Sequence, residues 1–389
     1  MAKIEKTLLL SLCMIVKNES ETVKKCLNSV RNLVDEMVVV DTGSSDGTQE
    51  IVQKMGARLI QSTWENDFSR ARNQAIDNAK GRWILILDAD EYLLPEGISA
   101  VRILLKRNTK KQETPATAFR LIQKSALVEN ETSGITAHQV RIFPNNPAIR
   151  YRGPVHEQVE SNLAEARISI INTDVVVMHS GYTGDQTKQE KQERNRKILL
   201  AQLENNEVID PHTYFFLGGA HLDLGDVEDA LASYRDCHEL TSRHPDFNQL
   251  AEGAQVKIVD CLIHLRKFEE ALSYLPDNLE EIKGEPGLPC HPLLIAYRAK
   301  IEQELGNIES ARKWYELLMR AVDQPRIPAI NTSSLKLESL KFLGSYWKEQ
   351  GRMDIAVGFL HLAQSIIREG CNVTDTDLKK LYKMVNIED

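Results

Sequence analysis

The feature that most restricts what this chain can fold into is the alternation of short apolar runs with segments of helical period between Leu8 and Leu87. Residues 8–16 and 37–40 are rich in Leu and Val, and the stretch between them carries Val23, Leu27, Val30 and Val34 at helical spacing. Further helices over 49–55 and 69–79 and further strands over 57–60 and 83–87 continue the pattern. Strand and helix in strict turn predict a parallel sheet covered by helices, because a parallel crossover needs the length that a helix supplies.

At 389 residues the chain exceeds the size at which one core keeps growing, so two domains are expected. From about Leu105 the pattern changes to isolated strands over 118–122, 139–143 and 174–179, which read as an antiparallel extension of the sheet. Long loops in a compact domain concentrate function, so substrate contacts are expected in 145–158. After Gly184 the sequence turns helical and charged, with small residues recurring at Ala230, Ala271, Ala311 and Ala356, at spacings of 41, 40 and 45. Gly225, Arg266, Gly306 and Gly351 stand five positions before these; Gly218, Val259, Ala299 and Gly344 stand twelve before; Tyr234, Leu275, Tyr315 and Leu360 stand four after. Small residues on two helices with a turn between them let helix pairs stack, and the pattern resembles three or four degenerate tetratricopeptide repeats. Arg266 replaces a turn glycine, and the period exceeds the usual ~34 residues. The predicted organisation is an α/β domain over 1–185, a connecting helix over 186–210 and an all-α repeat domain over 211–389.

The formal net charge of −8 argues against a general nucleic-acid binder, which needs clustered Lys and Arg. Six cysteines lack CxxC spacing, which disfavours a structural zinc site or a disulfide framework and points to a reducing compartment. The run 8–16 is too short to cross a bilayer and passes straight into Lys17-Asn18-Glu19 with no small-residue cleavage site, so a cytoplasmic protein without a transmembrane segment is expected.

Open parallel sheets bind ligands at the carboxyl ends of their strands. Three such ends carry acids: Glu19 after the first, Asp41 after the second, and Asp88-Ala89-Asp90 after the strand 83–87. Neither GxGxxG nor GxxxxGK[ST] occurs, which argues against a dinucleotide site and a P-loop. Asp88 and Asp90 are two apart, a spacing that in a strand directs both side chains to one side, where they could share a hard cation such as Mg²⁺ or Mn²⁺. The plainer alternative makes Asp88 a helix cap and leaves Asp90 and Glu91 solvated.

The first strand with Asn18-Glu19, then Val40-Asp41-Thr42-Gly43-Ser44-Ser45-Asp46-Gly47-Thr48, then Asp88-Ala89-Asp90, resembles the family 2 glycosyltransferases of the GT-A fold. The segment Trp64-Glu65-Asn66-Asp67-Phe68-Ser69-Arg70-Ala71-Arg72-Asn73, with Gly153-Pro154-Val155-His156-Glu157 and His179-Ser180-Gly181-Tyr182 followed by Lys191 and Arg194-Asn195, is similar to bacterial transferases with C-terminal helical repeats. Among these are the glycocin S-glycosyltransferases, which modify Cys or Ser of bacteriocin precursor peptides. The resemblance implies an inverting transferase using a nucleotide-diphosphate sugar, with UDP favoured. It implies that Val16, Glu19, Asp41, Arg72, Asp88 and Ala89 bind the nucleotide sugar, Asp41 at the base edge and Asp88 towards the ribose or metal. Asp90, Asp88 and His179 would hold Mg²⁺ or Mn²⁺; Lys188, Lys191 and Arg194 would either touch phosphate or form one solvated helix face. Glu157 is the implied catalytic base, with His156 as a rival base or as the group that orients Glu157. The implied acceptor is a peptide or protein, or else an envelope saccharide or lipid-linked glycan. The repeats would dock the acceptor or form a homodimer, and a non-catalytic nucleotide-sugar-binding scaffold is the remaining alternative.

Overall fold

The structure is a computed structural model that describes residues 8–109, 115–125, 136–180, 188–205, 210–277, 290–320, 332–369, and 377, 380, 381 and 383. It divides into two compact units, Met1–Glu204 and Asn205–Asp389.

The first unit is built on an eight-stranded sheet in the order β3-β2-β1-β4-β7-β6-β8-β5. β1 (Leu10–Val16) pairs in parallel with β2 (Glu36–Asp41) on one side and β4 (Trp83–Ile86) on the other, and β3 (Arg58–Gln61) extends the parallel half beyond β2. The strand interiors read as continuous apolar runs because both faces are covered. Leu10, Leu12, Met14 and Val16 share one core with Val39 and Leu85, whereas Cys13 joins Val38, Val40, Ile84 and Ile86 in the opposite one. A one-residue slip in register would exchange these faces.

Helix α1 (Val23–Val30) buries Val23, Cys26, Leu27 and Val30 against the first core, the i, i+3, i+4, i+7 stripe of an amphipathic helix. Next come α2 (Thr48–Lys54) and α3 (Phe68–Asp77). Asp67 caps α3, its side chain accepting from the Arg70 N–H at 3.0 Å.

Beyond β4 the sheet is mixed. β7 (Thr136–Pro144) runs antiparallel to β4 and to β6 (Thr117–Ser125), but β6 runs parallel to β8 (Ser169–His179). Three elements were not read from the sequence: β5 (Glu91–Leu93), antiparallel to β8; α4 (Pro95–Asn108), which opens on a proline at its first turn; and α5 (Glu160–Glu165). Helix α6 (Lys188–Asn205), predicted as a connector, falls almost wholly within the first unit.

In the second unit four helix pairs follow one another among the described residues: α7 (Pro211–Leu224) with α8 (Val227–Thr241), α9 (Asn248–His264) with α10 (Phe268–Leu272), α11 (Pro292–Glu304) with α12 (Ile308–Leu318), and α13 (Thr332–Glu349) with α14 (Met353–Glu369). Ala230, Ala271 and Ala311 are fully buried. A Cβ on Gly218 would lie 2.7–2.9 Å from the Tyr234 ring, so the small residue on one helix exists to admit the large one on the next. In the fourth pair the pattern shifts by one residue: Leu360 is 57% exposed and Phe359 is buried in its place. None of the described helices is long and apolar enough to cross a membrane.

Gly225, Gly306 and Gly351 all have positive φ, and Arg266 occupies the equivalent turn at φ 55°. A left-handed conformation costs a residue with a Cβ about 1–2 kcal/mol, part of which glycine's extra freedom in the unfolded chain offsets. Arg266→Gly should therefore raise stability by about 0.5 kcal/mol, read as a higher urea midpoint at unchanged slope.

Candidate active site

The carboxyl ends of β1 and β2 are tied together by polar contacts that the motif residues supply. Asn18, at φ 56°, turns the chain out of β1; its side-chain carbonyl accepts from the Ser45 N–H at 2.9 Å, and its own N–H donates to Ser44 Oγ at 2.9 Å. The Glu19 N–H donates to Thr48 Oγ1 at 2.8 Å, and the Ser20 N–H to Asp46 Oδ2 at 2.9 Å. The Thr42–Thr48 turn and the residues after β1 thus form one stitched loop pair.

Asp41 ends β2 and is 1% exposed. Its Oδ1 accepts from the N–H groups of Gly43 and Ser44 and from Gln49 Nε2, at 3.0, 2.9 and 2.8 Å. Its Oδ2 is buried with no hydrogen-bond partner among the described residues. A carboxylate oxygen left so is costly unless a ligand donates to it.

The strand geometry expected to place Asp88 and Asp90 on one cation does not apply, because β4 stops at Ile86 and both residues lie in the turn that follows. Their partners differ. Asp88 Oδ1 accepts from Arg72 Nη2 at 2.8 Å, and its Oδ2 lies 3.5 Å from Arg141 Nη2. Asp90 Oδ2 meets His179 Nε2 at 2.9 Å, and the Asp90 carbonyl accepts from the N–H and hydroxyl of Ser180. Burial opposes the charge of Asp88, but the guanidiniums of Arg72 and Arg141 hold its carboxyl well below the usual range. The hydrogen bond to Asp90 raises His179 against the effect of burial. Burial, with the nearby charges of Asp90 and Asp88, raises Glu19 despite its bond from Thr22.

Glu91 is fully buried and not solvated. It accepts from the Asp88 N–H, from Arg141 Nη2 and from Gln123 Nε2, at 2.8, 2.5 and 2.7 Å. Burial and the charge of Asp88 push its carboxyl up to about 7. Neither Glu91 nor Arg141 was singled out from the sequence; the only signal was an arginine inside the apolar run of β7.

Across the cleft, α3 grips the loop that carries the HisGlu pair. Asn73 exchanges two hydrogen bonds with the Tyr151 backbone, at 2.9 and 2.8 Å, and the Phe68 N–H donates to the Pro154 carbonyl at 2.9 Å. Arg152 and Gln158 exchange backbone bonds at 2.9 Å, closing a tight loop with Gly153 at φ 95° and His156 at φ 54°. Glu157 Oε1 accepts from Arg72 Nε at 2.5 Å. Desolvation in the cleft lowers His156, against the charge of Glu157, and so favours neutral imidazole.

Between these walls is a cavity of about 470 Å³, within the usual range for a small-molecule site. Val16, Glu19, Arg72, Asp88, Ala89, Asp90, His156 and Glu157 all line it, with Trp64 and Phe68 at 4.7 Å from each other and Lys191 and Arg194 of α6. The Arg194 guanidinium lies 5.0 Å from the Phe68 ring. Asp41 and His179 are not part of the lining; His179 reaches the site through Asp90. Gly181 and Tyr182 lie outside the described residues, as does the Lys188 side chain.

Residues 11–120 match the family described as Glycosyl transferase family 2. The N-terminal unit carries a family 2 glycosyltransferase domain. Its mixed sheet with flanking helices is the GT-A architecture that the sequence resemblance implied. The chain is 37% identical over 228 residues to a TPR repeat-containing protein of Synechococcus elongatus, covering 57% of this chain and 54% of that one. It is 26% identical over 259 residues to the SPbeta prophage-derived glycosyltransferase SunS of Bacillus subtilis, covering 65% and 58%. The chain thus spans little more than half the length of these curated relatives. The crystal structure of S. aureus TarS 1-349 is similar at a TM-score of 0.40 and 16% identity, over 73% of this chain and 97% of that one, a likeness too remote to carry an inference.

The glycosyltransferase domain depends on the stitched loops staying in place, and Asp46 is the anion in that stitch. Its hydrogen bonds from Thr48 and Ser20 outweigh the opposing effect of burial and lower its pKa from 3.8 to about 2. A depressed carboxylate contributes stability that is fully present above its unfolded pKa and is lost as pH falls through the folded one. Asp46→Asn should therefore be less stable than the parent at neutral pH, with the gap narrowing steadily below about pH 4, as followed by denaturant titration across pH.

Proposed function

We propose that this glycosyltransferase domain performs a metal-assisted inverting transfer from a nucleoside diphosphate sugar, with UDP as the nucleotide, to a Cys or Ser side chain of a peptide or protein. The observation that carries the donor assignment is the unpartnered, buried Oδ2 of Asp41 at the end of β2. The next residue, Thr42, lines the cavity together with Asp88, Ala89 and Asp90. A buried carboxylate of this kind suits a ring N–H such as that of uracil. The peptide acceptor rests on the resemblance to glycocin S-glycosyltransferases.

The residues present fit a divalent cation at Asp90 and His179, which offer an oxygen and a nitrogen donor 2.9 Å apart. Asp88, engaged by two arginines, is better suited to anchoring them than to joining that shell. When bound, a cation there would supply positive charge to the departing diphosphate. The three-residue group of metal-ligating type found among the described residues, His221 with Asp226 and Asp229, belongs to the second unit.

In the transfer, the acceptor sulfur or oxygen forms its bond to the anomeric carbon as the bond from that carbon to the diphosphate oxygen breaks. The diphosphate leaves with the electron pair. Glu157 removes the acceptor proton, held in place by Arg72 through one oxygen and leaving the other to accept. His156 beside it, its pKa lowered by burial, orients Glu157. Trp64 and Phe68 supply apolar surface that excludes water from the cavity.

UDP should raise the melting temperature, since a ligand that binds only the native state stabilises it. Asp90→Ala, or chelator added to the parent protein, should abolish turnover of UDP-sugars while circular dichroism stays unchanged; full turnover in chelator would refute metal assistance. Glu157→Gln should keep UDP affinity within about threefold and lose about 100-fold or more in transfer. Transfer persisting within a few-fold of the parent would place the base elsewhere. Mass spectrometry of peptide and oligosaccharide acceptors offered in parallel decides the acceptor class.

A further inference from the structure

A line of ionic contacts runs from the cavity wall into the interior. Glu157 binds Arg72 Nε at 2.5 Å, Arg72 Nη2 binds Asp88 at 2.8 Å, and Asp88 meets Arg141 Nη2 at 3.5 Å. The same Arg141 nitrogen donates to Glu91 at 2.5 Å. The first three residues line the cavity; Arg141 and Glu91 stand behind it, buried. Asp88 is thereby fixed from three directions: each carboxylate oxygen faces an arginine, and its N–H donates to Glu91 Oε2 at 2.8 Å.

A guanidinium is a planar, rigid fork, so the position of Asp88 sets the plane of Arg72, and that plane sets where Nε meets Glu157. As a stabilising device the arrangement is a poor one. Buried ion pairs are often matched or bettered by apolar residues of similar volume. Arg141 lies between Val140 and Ile142 in β7, where the fold otherwise places apolar side chains. Among the described residues, Arg72 Nη1 and Arg141 Nε also remain buried without a hydrogen-bond partner, a cost that a cluster kept only for stability has no reason to carry.

We propose that Arg141, seated on Glu91, is a positioning residue for the transfer: acting through Asp88, it fixes the plane of Arg72 and so the placement of the Glu157 carboxylate. The proposal rests on the reading of Glu157 as the base.

The test pairs two variants of the full chain. Glu91→Gln with Arg141→Met removes both buried charges together, so that neither is stranded; Arg141→Lys keeps a cation but lacks the planar fork. Each is measured for melting temperature, for UDP affinity by calorimetry, and for release of UDP from a panel of UDP-hexoses with and without peptide acceptors. The expected result for each is UDP affinity and donor KM within threefold of the parent and kcat lowered at least tenfold, with the melting temperature of Arg141→Lys close to the parent's. A folded double variant, or a folded Arg141→Lys, with kcat within twofold of the parent overturns the positioning role. Should the double variant fail to fold, Arg141→Lys decides by the same criterion. Undiminished transfer by Glu157→Gln, or a parent protein that turns over no donor, removes the functional reading and this one with it. A working parent beside unimpaired variants removes this one alone.

Discussion

The constraint on which the first unit depends is the burial of β1 on both faces between two parallel neighbours. With Leu10, Leu12, Met14 and Val16 in one core and Cys13 in the other, the strand cannot shift or slip without exposing apolar surface on one side. Its amino end and both flanks are committed to packing. Only the carboxyl edge, where β1, β2 and β4 finish close together, is free to present polar groups. The Asn18–Ser20 and Thr42–Thr48 segments are cross-bonded there because their backbone groups, displaced from the sheet, still need partners. Placing Glu19, Asp41 and Asp88 at or just beyond these ends is what gives an otherwise ordinary α/β sheet one acidic edge.

The antiparallel half contributes differently. β7 lies against β4, and through Arg141 it delivers a positive charge to the underside of the acidic turn. β5, only three residues long, brings Glu91 beneath that turn and lies beside His179 on β8. The domain therefore draws Asp41 and Asp88 from the ends of the parallel strands, and Glu91 and Arg141 beneath them from the other half.

Much of this was legible in the sequence, for a physical reason. Strands buried on both faces leave unbroken apolar runs, so β1, β2 and β4 were read to within a residue or two, as were β3, α2 and α3, whereas α1 stops at Val30, short of the Val34 placed on it. The turn positions of the repeats were marked by glycine, and Arg266 shares the left-handed backbone of the glycines it was aligned with. Other features were hidden. β5 is too short to show a period, and α4 follows it so closely that the two merge. Asp88 and Asp90 were placed by strand geometry, but the strand ends two residues before the first of them. Glu91 and Arg141 were invisible as site residues because a charged side chain is ordinarily solvent-facing. Only the folded chain, by bringing strands far apart in sequence together, gives each a buried partner. In the last repeat the alignment of Ala356 and Leu360 was one residue out, since Ile355 and Phe359 are the residues that pack.

The short loop closed by Arg152 and Gln158 has a mechanical consequence. Pro154 is held by the first amide of α3 and Tyr151 by Asn73 about a turn and a half along, so the loop that carries Glu157 is braced on the helix that carries Arg72. Glu157 and Arg72 thus form a braced wall of the cavity, whose lining also takes in Lys191 and Arg194 of α6.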